Sequence, residues 1–161
     1  MRSTLTLALL FCLAATQAHA ATPKEDIGKV VDAFQKAIIT HDGKGLEAMF
    51  LPKGGAWIDV MDDASFAIIK AQKPDAMRMH TADYKPFCDF VGSTDKRIEE
   101  KFSNVRIEAD DNVGMVFFDY VFLMEGQPTN HGVETWQMVR TDGGWKIGSM
   151  MYSVSLDKPK K

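Results

Sequence analysis

The sequence predicts an α+β domain in which helices come first and an antiparallel sheet comes last. Two observations carry this. Near the start, Ile27, Val30, Val31, Phe34, Ile38 and His41 recur at helical spacing, with Lys29, Asp32, Gln35 and Lys36 between them. From Lys96 onward the period changes to two, and turn residues interrupt it at short intervals.

The elements follow in order. Thr22-Pro23-Lys24-Glu25 is a helix start: Thr22 caps, Pro23 suits the first helical position and Glu25 completes a capping box. The helix runs over Glu25–His41, and Asp42-Gly43 ends it. A short second helix is expected over Gly45–Leu51, broken by Pro52 and Gly54-Gly55. Ala56–Met61 reads as a short strand, and Asp62-Asp63 can cap a helix over Ala64–Lys73 that Pro74 ends. Asp75–Ser93, rich in Met and aromatic residues, reads as an extended piece followed by a short helix near Pro86–Val91.

Four strands then succeed one another: Ile98–Ala109, Val113–Glu125, Thr129–Arg140 and Trp145–Ser155. The turns between them are Asp110-Asp111-Asn112, Gly126-Gln127-Pro128 and Thr141-Asp142-Gly143-Gly144. Strands joined so closely form an antiparallel meander.

Residues Met1–Ala20 read as a cleaved export signal. Arg2 is its positive end, Leu5–Ala15 its apolar core and Ala18-His19-Ala20 its small-x-small cleavage site. That core is shorter than the roughly 20 residues a membrane span needs. The expected organisation is thus a signal over 1–20, one domain over 21–155 and a lysine-rich tail over 156–161, in a periplasmic or secreted protein with no membrane attachment after cleavage.

Loss of Arg2 takes the formal charge from −3 to −4, and a mildly acidic domain without a basic stripe is a poor nucleic-acid binder. Of the two cysteines, Cys12 lies in the signal. Cys88, between Phe87 and Asp89 and near Phe90, is left as a lone thiol that reads as buried and structural. His41, His80 and His131 have no metal-ligand spacing, and no phosphate-cradling glycine loop is present, so neither metal nor cofactor is expected.

The order of a long first helix (Glu25–His41), a short second helix (Gly45–Phe50), a strand at Trp57–Met61 and a closing hairpin over Trp136–Ser153 resembles the nuclear transport factor 2-like (NTF2-like) superfamily, also called SnoaL-like or ketosteroid-isomerase-like. The terminal Gly144-Trp145-Lys146-Ile147 with Ser153 matches the family's closing strand. The resemblance implies a cone of helices on a curved antiparallel sheet, with a pocket between them. It also implies a homodimer formed through the sheet. The family hosts isomerases, cyclases, dehydratases, ligand binders and assembly domains, so fold alone does not choose among these. Many members carry a His on the last strand where this chain has Ser149 and Met151. If the face of Trp145, Ile147, Ser149, Met151 and Ser153 lines the cone, that histidine is missing from it.

Asp119 and Asp59 are the candidate general bases, because a carboxyl desolvated among apolar neighbours gains a raised pKa. Asp119 shares a strand face with Phe117, Val121 and Leu123, while Phe118, Tyr120 and Phe122 make an equally apolar face that would turn it outward. Asp59 shares its face with Trp57 and Met61. Tyr84 and Tyr120 are candidate hydrogen-bond donors to a developing oxyanion. Glu134, with Trp136 and Met138, and Gln137, with Thr135 and Val139, lie on opposite faces, so one of the two points into the cone. The expected function is binding of a small, largely apolar ligand by a wall of Phe34, Ile38, Trp57, Met61, Tyr84, Tyr120, Trp136 and Met151. The alternatives are a cofactor-free isomerase, dehydratase or cyclase with a pocket aspartate as base, and a homodimeric interaction module.

Overall fold

Thr22 opens the first helix as its sequence predicts. In the computed structural model, which describes residues 21–52 and 55–157, its hydroxyl accepts from the Glu25 N–H at 3.3 Å and the Glu25 carboxylate accepts from the Thr22 N–H at 2.7 Å. The expected export signal and Lys158–Lys161 lie outside the described residues. Helix α1 (Pro23–Ile39) buries Ile27, Val31, Phe34, Ala37 and Ile38 on one face. It ends two residues before the expected His41, which adopts a left-handed φ of 57°. Asp42 then caps α2 (Gly43–Glu47) by accepting from the Gly45 N–H at 2.8 Å.

β1 (Trp57–Met61) follows, then α3 (Asp63–Gln72), capped by Asp62 through the Ser65 N–H at 2.6 Å. The Met-rich stretch resolves into β2 (Met79–Ala82) and α4 (Lys85–Ser93), the extended piece and helix that its composition suggested. The meander follows in the expected order, β3 (Ile98–Ala109), β4 (Val113–Met124), β5 (Gln127–Thr141) and β6 (Gly144–Leu156), with Gln127 and Pro128, expected in a turn, already paired with Met124 and Leu123.

The six strands form one sheet in the order β2-β1-β6-β5-β4-β3. One pairing departs from an all-antiparallel sheet: β1 runs parallel to β6. The chain between them is long enough for a crossover, whereas hairpin-linked neighbours are antiparallel. The sheet bends because one residue too many is inserted at three places, between Ser103 and Arg106 on β3, around Phe122/Leu123 where β4 meets β5, and opposite Gln137/Met138 on β6. The helices lie in its concavity. Phe34 of α1 meets Trp136 with ring centroids 4.8 Å apart and Phe102 at 5.9 Å, which ties the helix to the centre of the sheet.

The β6 bulge matters most. Gln137 pairs with Ser149 but Met138 pairs with Ile147, so Gly148 is the extra residue. Trp145 and Ile147 face the core before it; Met150 faces inward after it, and Met151 is half exposed on the outside. One inserted residue thus inverts which side chains line the cone.

Candidate functional site

The inner face of the sheet beyond the core is concave and encloses a cavity of about 320 Å³. β4 supplies Tyr120 and Phe122, and β6 supplies Met150, Tyr152 and Val154. β1 adds Trp57 and Asp59, while Phe34 from α1 and Phe87 and Phe90 from α4 cover the opening sheet. Glu100 of β3, with Asn130 and Glu134 of β5, completes the lining. Alternation explains most of this: Tyr120 and Phe122 share a face of β4, and Met150, Tyr152 and Val154 share the post-bulge face of β6.

The polar groups are organised. Asp59 and His80 are direct cross-strand partners on β1 and β2, with Oδ2 2.9 Å from Nδ1. Tyr152, opposite both Asp59 and Glu134 in register, accepts from the Trp57 indole N–H at 3.1 Å. The Tyr120 hydroxyl donates to the Ser153 carbonyl at 2.9 Å. Glu134, 3 % exposed, accepts from the Trp136 indole N–H. Glu100, 6 % exposed, has no side-chain hydrogen bond among the described residues.

Burial dominates the electrostatics. It pushes the Glu100 carboxyl well above the usual carboxylate range, and the Glu134 charge adds to the effect. Burial also raises Glu134, partly offset by the Trp136 hydrogen bond. The Tyr152 phenol is pushed up to about 12, first by burial, and Tyr120 is raised further for the same first reason. Burial therefore favours the neutral form of the carboxyls and phenols on the cavity floor, while Asp59 of the β1 wall is paired with His80 outside the lining. Such a site can donate hydrogen bonds and, with a histidine-paired carboxylate beside it, move protons.

Four of the candidate base, donor and wall residues read from sequence lie in this lining: Phe34, Trp57, Asp59 and Tyr120. The placement of Asp119 is corrected. It lies on the outer face, where its carboxylate accepts from the Asn104 side-chain amide at 2.6 Å and so braces the β3 bulge. Of the two equally apolar faces of β4, Phe118, Tyr120 and Phe122 turn in, because that face meets the helices. Met151 is corrected by the Gly148 bulge, and Met150 takes its place. Ile38 and Trp136 are fully buried in the core and do not line the cavity, although Trp136 reaches it indirectly through Glu134. Tyr84 stacks on Phe50, with centroids 4.5 Å apart and planes 4° apart, beside a separate recess of about 30 Å³. Met61 ends β1 outside the lining.

Of the two polar candidates on β5, Glu134 is the one that points inward. Sequence reasoning passed over Glu100, Asn130, Tyr152, His80 and the α4 aromatics as site residues. Glu100 had a signal, since it shares a face with Ile98 and Phe102. Tyr152 had none, because its face depends on the bulge. Among the described residues, no group of three or more His, Cys, Asp or Glu side chains is arranged to hold a metal ion, and no helix is long and apolar enough to cross a membrane.

No protein-family model and no curated protein matches the sequence. Solved structures do match in shape. A protein from Novosphingobium aromaticivorans, provisionally named a scytalone dehydratase, superposes with a TM-score of 0.62 at 13% identity, covering 85% of this chain and 87% of that one. An NTF2-like protein of unknown function from Pseudomonas putida gives 0.61 at 12% identity over 84% and 89%. A provisionally named dehydratase of the NTF2-like family from Streptomyces avermitilis gives 0.60 at 18% identity over 83% and 96%. Helices in the hollow of a bent six-stranded sheet, an aromatic-walled cavity between them and these neighbours agree: the chain has the NTF2-like fold.

Proposed function

We propose that this protein binds a small, largely apolar, ring-bearing molecule in the cavity between α1, α4 and the sheet. The carrying observation is the cavity itself, about 320 Å³, with seven aromatic side chains from three strands and two helices beside a few converging polar groups. Trp57 lines it, whereas Trp136 and Trp145 are buried in the core. Trp57 is thus a built-in reporter. A ring-bearing ligand should change the intrinsic fluorescence of the protein, and Trp57→Phe should abolish the change. A signal that persists in Trp57→Phe would place binding elsewhere. Native mass spectrometry of the protein from its host would identify a retained molecule directly.

A second reading, cofactor-free dehydration or isomerisation, is favoured by Asp59 of the cavity wall, which is paired with His80 behind it. Two structural neighbours provisionally named dehydratases support it. In this reading Asp59, oriented by His80, abstracts a proton from carbon, and a neutral carboxyl or phenol of the cavity floor donates to the departing or developing oxygen. Export to the periplasm or medium belongs to the same proposal and is supported by the signal-like sequence of Met1–Ala20. N-terminal sequencing of the secreted fraction should begin at Ala21. Pairing of two copies through the outer sheet face is supported by the exposure of Met115 and Met151 there.

A further inference from the structure

The cavity floor holds two buried glutamates, and no lysine or arginine lies among the described residues that line it. We propose that the ligand is an organic cation, a primary amine or quaternary ammonium on an apolar body, whose charged nitrogen sits against Glu100 and Glu134. The inference rests on the reading of the cavity as a ligand pocket and adds the charge of its occupant.

Glu100 carries the argument. Its side chain is more than nine-tenths buried, lines the cavity and has no hydrogen-bond partner among the described residues. A carboxyl in such a place is costly unless something pairs with it. Glu134 spends one oxygen on Trp136 and has the other free for a partner in the cavity. An ammonium group provides positive charge and several N–H donors, or, when quaternary, charge alone. The walls favour the same occupant. Phe34, Phe87, Phe90, Phe122 and Tyr152 present aromatic rings to the space, and aromatic faces attract cations.

The other groups facing the pair are consistent with this. Tyr120 and Tyr152 are neutral phenols, one hydrogen-bonded to a backbone carbonyl and the other to Trp57. Asp59 adds negative charge and is itself paired with His80 on β2. From α1 and α4 come only Phe34, Phe87 and Phe90. Without a counter-charge, burial favours the protonated form of both carboxyls, and the Glu134 charge adds to the effect at Glu100. An arriving ammonium reverses that balance, so binding should expel protons.

Calorimetric titration of the protein at neutral pH with 2-phenylethylamine and benzyltrimethylammonium, against the neutral 2-phenylethanol, tests this. The cations are expected to bind at least ~10-fold more tightly than the alcohol. Their heats should differ between buffers of different ionisation enthalpy, reporting proton release. Glu100→Gln should remove the preference, and a circular dichroism spectrum unchanged from the wild type shows that the variant is folded. Equal affinities, or a preference unchanged in Glu100→Gln, would overturn the cation assignment while leaving the pocket. Failure of all three probes to bind would overturn both.

Discussion

Tyr120 on β4 reaches over Gly132 on β5 to donate its hydroxyl to the Ser153 carbonyl on β6. A Cβ on Gly132 would lie 2.1 Å from that same carbonyl oxygen. The glycine therefore leaves open the path by which a phenol ties three strands together beneath the cavity. Ser153 completes the tie by accepting from the Val133 N–H through its hydroxyl at 3.0 Å.

Gly132→Ala should accordingly destabilise the protein by about 2–3 kcal/mol, because the obstructing atoms are backbone and cannot swing away. Tyr120→Phe, which removes only the hydroxyl, should cost about 1 kcal/mol. Urea denaturation of the two variants measures both, and a neutral Gly132→Ala would contradict the crossing.

The buried glutamates give stability a pH dependence of definite sign. Their folded pKa values lie above the ordinary 4.5, so the folded state holds protons that the unfolded state releases. Stability from this source is fully present below about 4.5 and falls as pH rises from there toward the raised folded values. Asp62 acts oppositely. Hydrogen bonds from Ser155 and Ser65 lower it from 3.8 to about 2, so its contribution is present above 3.8 and lost as pH falls toward 2. Glu100→Gln should flatten the decline toward neutral pH and raise neutral-pH stability by about 1–2 kcal/mol. Thermal melts from pH 4 to pH 8 read this directly.

Asp59 and Asp119 make a controlled comparison, since the same residue type lies on opposite faces of the sheet. If the cavity turns over a substrate, Asp59→Asn should lower kcat by about 100-fold or more. Asp119→Asn should leave kcat within about twofold while loosening the β3 bulge by roughly 1 kcal/mol. Equal kinetic loss in both would remove Asp59 from the chemistry.

Cys88 is 1 % exposed, and burial pushes its thiol up to about 12. A disulfide reagent should label it only as fast as the domain opens, and labelling should become immediate in denaturant. Rapid labelling of the native protein would contradict the packing of α4.

On the outer sheet face Met115 and Met151 are 40% and 51% exposed, and Arg106 lies over the Phe117 ring at 4.3 Å. If two copies pair through this face, sedimentation at micromolar concentration should show a dimer. Met115→Lys with Met151→Lys should weaken it by at least ~10-fold, since two charges would be buried without partners. A wild-type monomer would end the pairing proposal.

Much of this architecture was legible in the amino-acid order. The Thr22–Glu25 capping box, the Ile27–Ile38 stripe and the turn residues that separate β3 to β6 are local signals, and local signals survive without knowledge of the partner. The aromatic character of the site was also readable, and so were Phe34, Trp57, Asp59 and Tyr120. The faces were not. Strand side chains alternate, so a single inserted residue reverses every assignment beyond it, and Gly148 exchanges Met151 for Met150 and brings in Tyr152. Nor could the order of residues show that Glu100 and Glu134, on strands separated by β4, share one desolvated floor, or that His80 stands opposite Asp59. Sequence by itself determined the elements and the helix-on-sheet class, because these follow from periodicity and turn chemistry. Only the tertiary structure decided which carboxyls are buried and which are wet, because desolvation depends on what the bent sheet and α4 place around each of them.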